Sequence, residues 1–587
     1  MGKIKNLLRK IKNKVKNKLF KRPEREKNIY EIWMGGHQAS QEELEQQRKT
    51  KFPYEPRISI VVPVYNTPLK YLYALIESVK MQTYANWELC ISDGSGKRFS
   101  KLAIVLKLFE MTNKRIHVVV NRVPLQISKN TNQAIRIAQG NFIAFADHDD
   151  LLAPDALFEC IKALNENSEI DVIYTDEDKM SMDGQEFFNP HFKTDFNIDL
   201  LRSMNYICHF VVVSKRIIEQ VGMLREEFDG AQDYDFILRS VEAASYVYHI
   251  PKALYHWRVH NNSTAENPES KLYAFEVGAR AVQAHYDRVG IAAIVHQGEY
   301  PGIYRTEYII KEHPLISIII ANKDHIEDLD KCIKSIEQKS SYENYECIII
   351  ENNSEDPETF SYYKELEERN SKIRVVYWEG EFNYSAINNY GITYANGEYL
   401  LLLNNDAEII NQNCLEELLG YCMREDVGAV GARLYYNDDT IQHAGVIVGF
   451  GGVAGHAFLG LSKNDRGYFS RVMCAQNLSA VTAACVMMKK KVFEEVGGLD
   501  ETLKVAFNDV DLCMKIRQAG YLIVYNPYAE LYHYESKSRG ADDTEEKMER
   551  AQNEIHVFVH KWSDFLKKGD PYYSPNLSVD RGDFTLI

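Results

Sequence analysis

Two aspartates separated by a single residue are the first candidates for chemistry. Asp147 and Asp149 directly follow residues 142–146, an apolar run typical of a buried strand. On an extended segment, side chains two residues apart can turn toward one cation at the end of the strand. Carboxylate oxygens favour hard cations such as Mg²⁺ or Mn²⁺, and such a cation can hold a diphosphate. The pair therefore predicts a divalent-metal site that would offset charge on a departing diphosphate.

A similar segment occurs in the second half of the chain. Asn404 and Asp406 follow the apolar residues 399–403, and Glu408 lies two residues further on. One strong cation ligand is kept in this segment and a second is displaced. We therefore expect metal binding there to be weaker rather than absent.

Two later aspartates are candidates for a general base. Asp233 and Asp509 each stand near the start of a predicted helix, where a carboxylate could take the proton from an attacking hydroxyl group. Aspartate is also a common helix N-cap, and residue type alone leaves both interpretations open.

Two histidines recur at a matched distance from these aspartates. His256 and His533 each follow an apolar strand-like run that begins after a proline. A histidine at a strand end is often a hydrogen-bonded structural residue. Its recurrence makes a third metal ligand an equally supported interpretation.

The elements that must position these residues occur twice. Residues 57–66 and 315–324 are β-branched runs of strand type, each followed by a helical stretch and a second strand-like run, at 87–95 and 345–354. Asp233 and Asp509 lie 276 residues apart, and His256 and His533 lie 277 apart. A β-α-β opening indicates a parallel sheet, and ligands bind at the carboxyl edge of such sheets. The chain is therefore predicted to contain two copies of one α/β domain.

The bulk composition fits this organisation. The chain has 587 residues, too many for a single ordinary core, and its 45% hydrophobic and 26% charged residues are typical of a folded globular protein. The formal charge of −15 argues against nucleic-acid binding. No apolar run reaches membrane-spanning length and no secretory signal is evident, so neither a span nor export is expected. The ten scattered cysteines suggest buried, reduced thiols in the cytosol.

The N-terminus departs from this acidic balance. Residues 3–22 carry ten basic residues and no acid, with apolar residues at helical spacing. The pattern predicts a basic amphipathic helix lying on an anionic membrane surface, with a disordered basic tail as the alternative.

Taken together, these motifs resemble glycosyltransferase family 2, of GT-A fold, and in particular its tandem two-domain members of bacterial O-antigen, capsule and rhamnose-polymer pathways. The resemblance runs from about Arg57 to about Gly540. The segments that carry it are residues 146–152, 174–179, 254–258, 263–265, 382–389, 442–445, 507–511 and 533–540.

The resemblance implies an inverting single displacement from a nucleotide-sugar donor, such as a UDP- or dTDP-sugar, to a glycan acceptor that we expect to be lipid-linked. It implies that Asp147 and Asp149 hold the metal, and that Asp233 is the base. It places Pro63, Tyr65 and Asp93 in the nucleotide pocket, with Asp93 accepting a hydrogen bond from the imide N–H of the nucleobase. Asp147 would also contact the donor.

In the second half, the resemblance assigns Asp406 to the metal and Asp509 to the base. Glu351, Asn353 and Asn404 are the corresponding donor-binding residues. Glu351 stands where an aspartate is expected, and Asn404 replaces the first acid of the metal pair. These two departures predict a different donor or linkage for the second domain.

The resulting prediction is a bifunctional enzyme with three parts: residues 1–55 as membrane-surface helix and linker, 56–310 as the first domain, and 311–587 as the second. It would lie in the cytoplasm, on the inner face of the cell membrane. A sugar-nucleotide pyrophosphorylase is disfavoured because its glycine-rich loop is missing, and a processive synthase because its membrane spans are missing. The remaining alternative is that one domain is a non-catalytic acceptor-binding scaffold.

Overall fold

The computed structural model describes residues 27–97, 100–259, 272–534 and 544–587. Three predicted features lie outside these ranges: the basic helix at residues 3–22, the motif at 263–265, and most of the motif at 533–540. In the described part of the chain, no helix has the length and apolar character needed to cross a bilayer.

The first half forms a nine-stranded sheet in the order β3-β2-β1-β4-β8-β6-β9-β5, with β7 beside β6. A separate antiparallel hairpin, β10-β11, follows it. The strands are β1 Ile58–Val64, β2 Trp87–Asp93, β3 Ile116–Val120, β4 Phe142–Phe145, β5 Leu151–Leu152, β6 Ile170–Met180, β7 Phe187–His191, β8 Val211–Ser214, β9 Tyr246–Arg258, β10 Ala293–Gln297 and β11 Tyr304–Tyr308.

Helices connect and cover these strands. Two short helices precede the sheet, at Ile29–His37 and Gln41–Lys49, and both begin with a capping box. The others are Leu69–Lys80, Lys101–Thr112, Ile127–Ile137, Ala156–Glu166, Ile198–Ser203, Lys215–Val221, Gln232–Ala243 and Leu272–Val289.

The second half forms a ten-stranded sheet in the order β14-β13-β12-β15-β22-β17-β23-β16, with β18 beside β17 and β21 beside β23. A small hairpin, β19-β20, stands apart from it. The strands are β12 Ile316–Asn322, β13 Tyr345–Asn352, β14 Ile373–Trp378, β15 Tyr399–Leu403, β16 Ala407–Ile409, β17 Val427–Tyr435, β18 Ile441–His443, β19 Val446–Val448, β20 Ala454–His456, β21 Gln476–Leu478, β22 Cys485–Lys489 and β23 Leu522–His533.

The helices of the second half follow the same plan. The first two connect β12 to β13 and β13 to β14, as their counterparts do in the first sheet. They are Ile326–Lys339, Pro357–Arg369, Tyr384–Ile392, Cys414–Cys422, Lys490–Glu495, Asn508–Gln518, Glu545–Lys561 and Ser563–Lys568.

The two sheets share one topology, which confirms the predicted fold class of two tandem α/β domains. β1 pairs in parallel with β2 and β4, and β12 pairs in parallel with β13 and β15. The sheets are mixed rather than mostly parallel, because β8 and β22 run antiparallel to both of their neighbours. The predicted boundaries at residues 55 and 310 stay a prediction, although β12 begins at Ile316, shortly after the second of them.

The opening strands are buried on both faces. Every residue of β1 and of β2 is buried, as expected for strands covered by helices on both sides. All ten cysteines are free thiols, and nine of them are buried. The apolar runs in the sequence are therefore core strands, and the polar residues that follow them emerge at the carboxyl edge of each sheet.

Candidate functional site

The acidic segment after β4 is held against β9 by its third carboxylate. Asp150 is buried and accepts hydrogen bonds from the Tyr255 hydroxyl at 2.6 Å and the Arg258 backbone N–H at 2.7 Å. Burial raises the pKa of Asp150, and the nearby charges of Asp149 and Asp147 raise it further. Asp150 therefore anchors the segment, which leaves the preceding pair at the sheet edge, with the Asp147 side chain 47% exposed.

A histidine that sequence reasoning missed lies beside this pair. His209 Nε2 is 3.6 Å from Asp147 Oδ2, and its ring stacks on Tyr255 with centroids 4.7 Å apart. Burial opposes the charge of His209, but the hydrogen bond and charge of Asp147 raise its pKa to about 9. His209 precedes β8, and β8 pairs with β4 in antiparallel register. No motif in the sequence signals this contact, because it depends on that pairing.

Asp233 lies close to the same histidine. The Asn205 amide donates to Asp233 Oδ2 at 3.2 Å, and burial raises the pKa of Asp233 while the charge of His209 lowers it. A carboxylate whose pKa is raised by burial suits a general base. The helix N-cap is Ala231, so Asp233 does not act as the cap.

The neighbouring Asp235 has a different role. It is fully buried and forms ion pairs with Arg225 and Arg239. A carboxylate engaged by two guanidinium groups is a structural anchor. Of the two acids in this motif, Asp233 is therefore the one on the site side.

His256 is oriented by a hydrogen-bond relay. Its Nδ1 lies 2.7 Å from Asp178 Oδ1, and the Tyr30 hydroxyl donates to the other oxygen of Asp178 at 2.7 Å. His256 also pairs with Leu151 in the β5–β9 ladder, two residues after Asp149. A carboxylate on one ring nitrogen leaves Nε2 for a metal, the usual arrangement of a ligating histidine.

The predicted nucleotide residues lie at the ends of β1 and β2. Pro63 pairs with Ser92, and Tyr65, 53% exposed, follows β1. Asp93 is fully buried; its Oδ1 accepts from the Ser95 backbone N–H at 2.9 Å, whereas its Oδ2 has no hydrogen-bond partner among the residues that the structure describes. A buried carboxylate oxygen without a partner needs a donor, and an N–H group of a ligand would supply one.

The corresponding pocket of the second domain differs at this point. Glu351 Oε2 accepts from the hydroxyls of Ser354 at 2.6 Å and Tyr363 at 2.8 Å. The Asn353 amide donates to the Gly380 carbonyl at 2.8 Å. Both Glu351 hydroxyl partners lie within the second domain. Asp93, by contrast, has one oxygen to which no described residue of the first domain is bonded.

The second strand-end cluster brings three of its predicted residues together. His533 Nε2 lies 3.2 Å from Asp406 Oδ1 and 3.0 Å from the Asn404 amide nitrogen. Its Nδ1 lies 2.6 Å from the Gln442 amide oxygen. In both domains the histidine Nδ1 is bonded to a side-chain oxygen, that of Asp178 for His256 and that of Gln442 for His533. In the second domain Nε2 also faces the strand-end segment.

Glu408 has other partners. Lys339 donates to its Oε1 at 2.9 Å, and the Tyr534 hydroxyl donates to its Oε2 at 2.7 Å. A metal at Glu408 would have to displace one of these groups. Its role as a ligand stays a prediction.

Asp509 lies where the first domain has Asp233. Its two oxygens accept from the backbone N–H groups of Val510 at 2.8 Å and Ala483 at 3.1 Å. The N-cap of its helix is Phe507. The next acid, Asp511, is fully buried and is bonded by Trp562 at 2.9 Å and Lys561 at 2.8 Å. The second acid is therefore a structural anchor in both domains.

The donor set suits a divalent cation in the first domain. Two carboxylates and an imidazole are ligands that Mn²⁺ accepts, whereas the second domain offers one carboxylate, an amide and an imidazole. Across the described residues, no group of three or more His, Cys, Asp and Glu side chains is already arranged around a common point. Both ligand sets stay predictions.

Glu177 lies buried behind His209. It accepts from the Lys193 ammonium and from the His209 backbone N–H, each at 3.3 Å. Burial opposes the charge of Glu177, but Lys193 and the adjacent histidines lower its pKa to about 2.

We expect this carboxylate to make stability depend on acid pH. As the pH falls from about 4.5 to about 2, the unfolded chain takes up a proton at this group before the folded chain does. This lowers the free energy of unfolding by up to about 3 kcal/mol. Glu177→Gln lacks the titrating group, so its urea midpoint should fall less over this range. Urea unfolding followed by circular dichroism measures how the midpoint depends on pH in the wild type and in the variant. An equal pH dependence in the two proteins would contradict the interpretation.

Comparison with known proteins identifies the class to which this arrangement belongs. The sequence profile described as Glycosyl transferase family 2 matches residues 59–222 and 317–497, one match in each domain. The chain belongs to glycosyltransferase family 2, and the predicted pair of GT-A domains is confirmed.

Two relatives match nearly the whole chain. It is 43% identical over 537 residues to the uncharacterized protein y4gI of Sinorhizobium fredii, a match covering 90% of this chain and 58% of the relative. It is 35% identical over 559 residues to the O-antigen biosynthesis protein RfbC of Myxococcus xanthus, covering 95% of this chain and 43% of the relative. The chain thus spans about half the length of these relatives.

Among solved structures, TarS of S. aureus in complex with UDP-GlcNAc is similar. The sequence identity is 20% and the TM-score 0.32, over 40% of this chain and 70% of that one.

Proposed function

We propose that the chain transfers two sugars in succession, one at each domain, from nucleotide-sugar donors to a growing surface glycan. The observation that carries the proposal is a repeated pair of acids, one at the second position of a helix, Asp233 or Asp509, and one shortly after a matching strand, Asp147 or Asp406. A second acid two residues later is bound to cationic groups in each domain, so the first acid is the one left for chemistry.

In the first domain, Asp233 would accept the proton of the acceptor hydroxyl as that oxygen attacks the anomeric carbon from the face opposite the leaving diphosphate. The configuration at that carbon would invert. The Oδ2 of Asp93, to which no described residue donates, would accept from the nucleobase N–H. Pro63 and Tyr65 would flank the nucleobase.

Asp147, Asp149 and His256 would hold a Mn²⁺ or Mg²⁺ ion, which when bound neutralises charge on the leaving diphosphate. Asp178 would keep His256 in the tautomer that presents Nε2. Asp406, His533 and Asn404 would form the weaker site of the second domain, with Glu408 as a further candidate.

The second domain would use Asp509 as base with a different donor. Its counterpart of Asp93, Glu351, is bonded to Ser354 and Tyr363, so it would read a nucleobase differently or leave its N–H to another group. Asn353 and Asn404 would complete the donor pocket. If the second domain is catalytic, these differences support a second donor rather than a second copy of the first reaction.

The setting of the reaction is also a proposal. The RfbC relative is named for O-antigen biosynthesis, which supports a lipid-linked glycan as acceptor. The ten basic residues between positions 3 and 22 would hold the chain at the inner membrane surface, at about 1 kcal/mol each. Tethering two sites in one chain would raise the effective concentration of the intermediate, to roughly millimolar for short connections.

Variants of the two bases should stall synthesis at different stages. Asp233→Asn should leave the acceptor unextended, and Asp509→Asn should release a product one sugar longer, if the first domain acts first. Mass spectrometry of the products made from a panel of nucleotide sugars checks this. Opposite assignments of the two stages would only exchange the order of the domains.

The competing function is a single catalytic domain with a scaffold partner, and Asn404 together with the bonded Glu351 favours the second domain as that scaffold. Under it, Asp509→Asn and the wild type would give identical products. That outcome, or a second domain inert toward every donor, would overturn the proposal of two transfers.

A further inference from the structure

The two domains meet along the segments that lead into their own sites. In the first domain this connecting segment is residues 197–210, and in the second it is residues 475–484. The first runs directly into β8 and the second into β22, the strands that hold equivalent positions in the two sheets. Each segment thus ends beside the acidic residues of its own domain.

Reciprocal hydrogen bonds join the two segments. Asn197 donates to the Asn477 carbonyl at 2.8 Å, and the Asn477 backbone N–H donates to Asn197 Oδ1 at 2.8 Å. The Asp199 backbone N–H donates to Asn477 Oδ1 at 3.2 Å, and the Asn477 amide donates to Asp199 Oδ2 at 2.6 Å. The Ser203 hydroxyl donates to the Ala475 carbonyl at 2.9 Å. Both side-chain groups of Asn477 therefore bond across the domain boundary.

These contacts exclude water. Asn197 and Asn477 are fully buried, and Asp199 is 1% exposed. Asp199 also forms an ion pair with Arg424 of the second domain. A buried polar network with every member bonded specifies one arrangement, because breaking any bond leaves a buried group unpaired.

In the first domain, the segment continues into the site within a few residues of the contact. Asn205 donates to Asp233 Oδ2 at 3.2 Å and accepts from the Cys208 backbone N–H at 3.3 Å. The next residue, His209, lies 3.6 Å from Asp147. The proposed base and the first acid of the metal pair are therefore both contacted by residues of this segment.

In the second domain, the segment ends in the same way. The Ala483 backbone N–H donates to Asp509 Oδ2 at 3.1 Å, and the Ala484 carbonyl accepts from the Asn404 backbone N–H at 3.1 Å. Residues of this segment thus contact the proposed base and the strand-end segment there too.

We infer that each domain positions the catalytic segment of the other, with Asn197 and Asn477 as the positioning residues that join the two sites. The inference rests on the proposed function for its activity readout. It implies that a change at Asn477, in the second domain, alters transfer by the first. Because a misplaced catalytic group costs rate more than donor binding, the effect should fall on kcat.

The test is made in the full-length Asp509→Asn chain, so that only the first domain transfers sugar. Asn477→Ala is compared with Asn389→Ala, which removes three hydrogen bonds inside the second domain, to the Leu499 carbonyl, the Leu499 N–H and Glu501 Oε1, each 3.0 Å. We expect kcat of the first domain to fall about tenfold or more for Asn477→Ala, with little change in donor KM, and to stay within about twofold for Asn389→Ala.

Hydrogen exchange gives a readout that needs no activity. The amides of residues 205–209 should exchange faster in Asn477→Ala than in Asn389→Ala, at a temperature where both variants are folded. If Asn477→Ala does not fold, Ser203→Ala removes one cross-domain bond and should show the same changes to a smaller degree.

Unchanged kcat and unchanged exchange at residues 205–209 in Asn477→Ala would overturn the inference, as would equal effects of the two variants. If the contacts between the two domains are intact but the chain transfers sugar from no donor, the proposed function is overturned instead. The hydrogen-exchange comparison would still decide the inference.

Discussion

Asp233→Asn is expected to reduce sugar transfer by the first domain about a hundred- to ten-thousand-fold, the usual cost of losing a general base. The amide keeps the shape of the side chain but cannot accept the proton of the acceptor hydroxyl. Donor binding and folding should change little, because no arginine or lysine of the described residues forms an ion pair with Asp233, whereas two arginines anchor Asp235.

Single-turnover transfer in the Asp509→Asn background measures this loss, and donor affinity is measured separately by calorimetry. Glu227→Gln, which neutralises an exposed acid in the same region, is the matched control and should transfer at the wild-type rate. Asp235→Asn should lower the unfolding midpoint, since it leaves Arg225 and Arg239 without their partner. Full transfer by Asp233→Asn would mean that another residue is the base.

Removal of divalent metal is expected to stop the first domain, and Asp149→Ala should have the same effect. One carboxylate lost from a site with two or three protein ligands leaves a cation poorly held. Addition of Mn²⁺ or Mg²⁺ should restore the chelated wild type but not the variant. The second domain, with Asn404 in place of the first acid, should need higher metal concentrations for the same occupancy.

Electron paramagnetic resonance of Mn²⁺, titrated into each protein with the nucleoside diphosphate present, measures binding independently of turnover. Glu169→Ala removes an exposed acid of the first domain and serves as the control, with unchanged Mn²⁺ affinity. Full-rate transfer by the first domain after complete chelation would contradict its dependence on a metal. Unchanged Mn²⁺ affinity in Asp149→Ala would mean that Asp149 is not a ligand of the metal.

Much of the fold could be predicted because its signals are local. The apolar runs that became β1, β2 and β4 recur in the same order as β12, β13 and β15, and each ends in polar residues. Parallel strands place their carboxyl ends at one edge, so those polar residues were expected to lie together. No local pattern in the sequence indicates that β8 and β22 run antiparallel to their neighbours, since their direction depends on the long connections that precede them.

The sequence by itself determined the duplication, the family and the set of acids and histidines from which a site could be built. Only the tertiary structure decided their partners: arginines hold Asp235, the Ser354 and Tyr363 hydroxyls hold Glu351, and His209 lies beside Asp147. The physical reason is range. A strand or helix follows from neighbours along the chain, whereas the role of a carboxylate depends on which distant groups share its buried surroundings, and those are set by strand pairing and by the contact between the two domains.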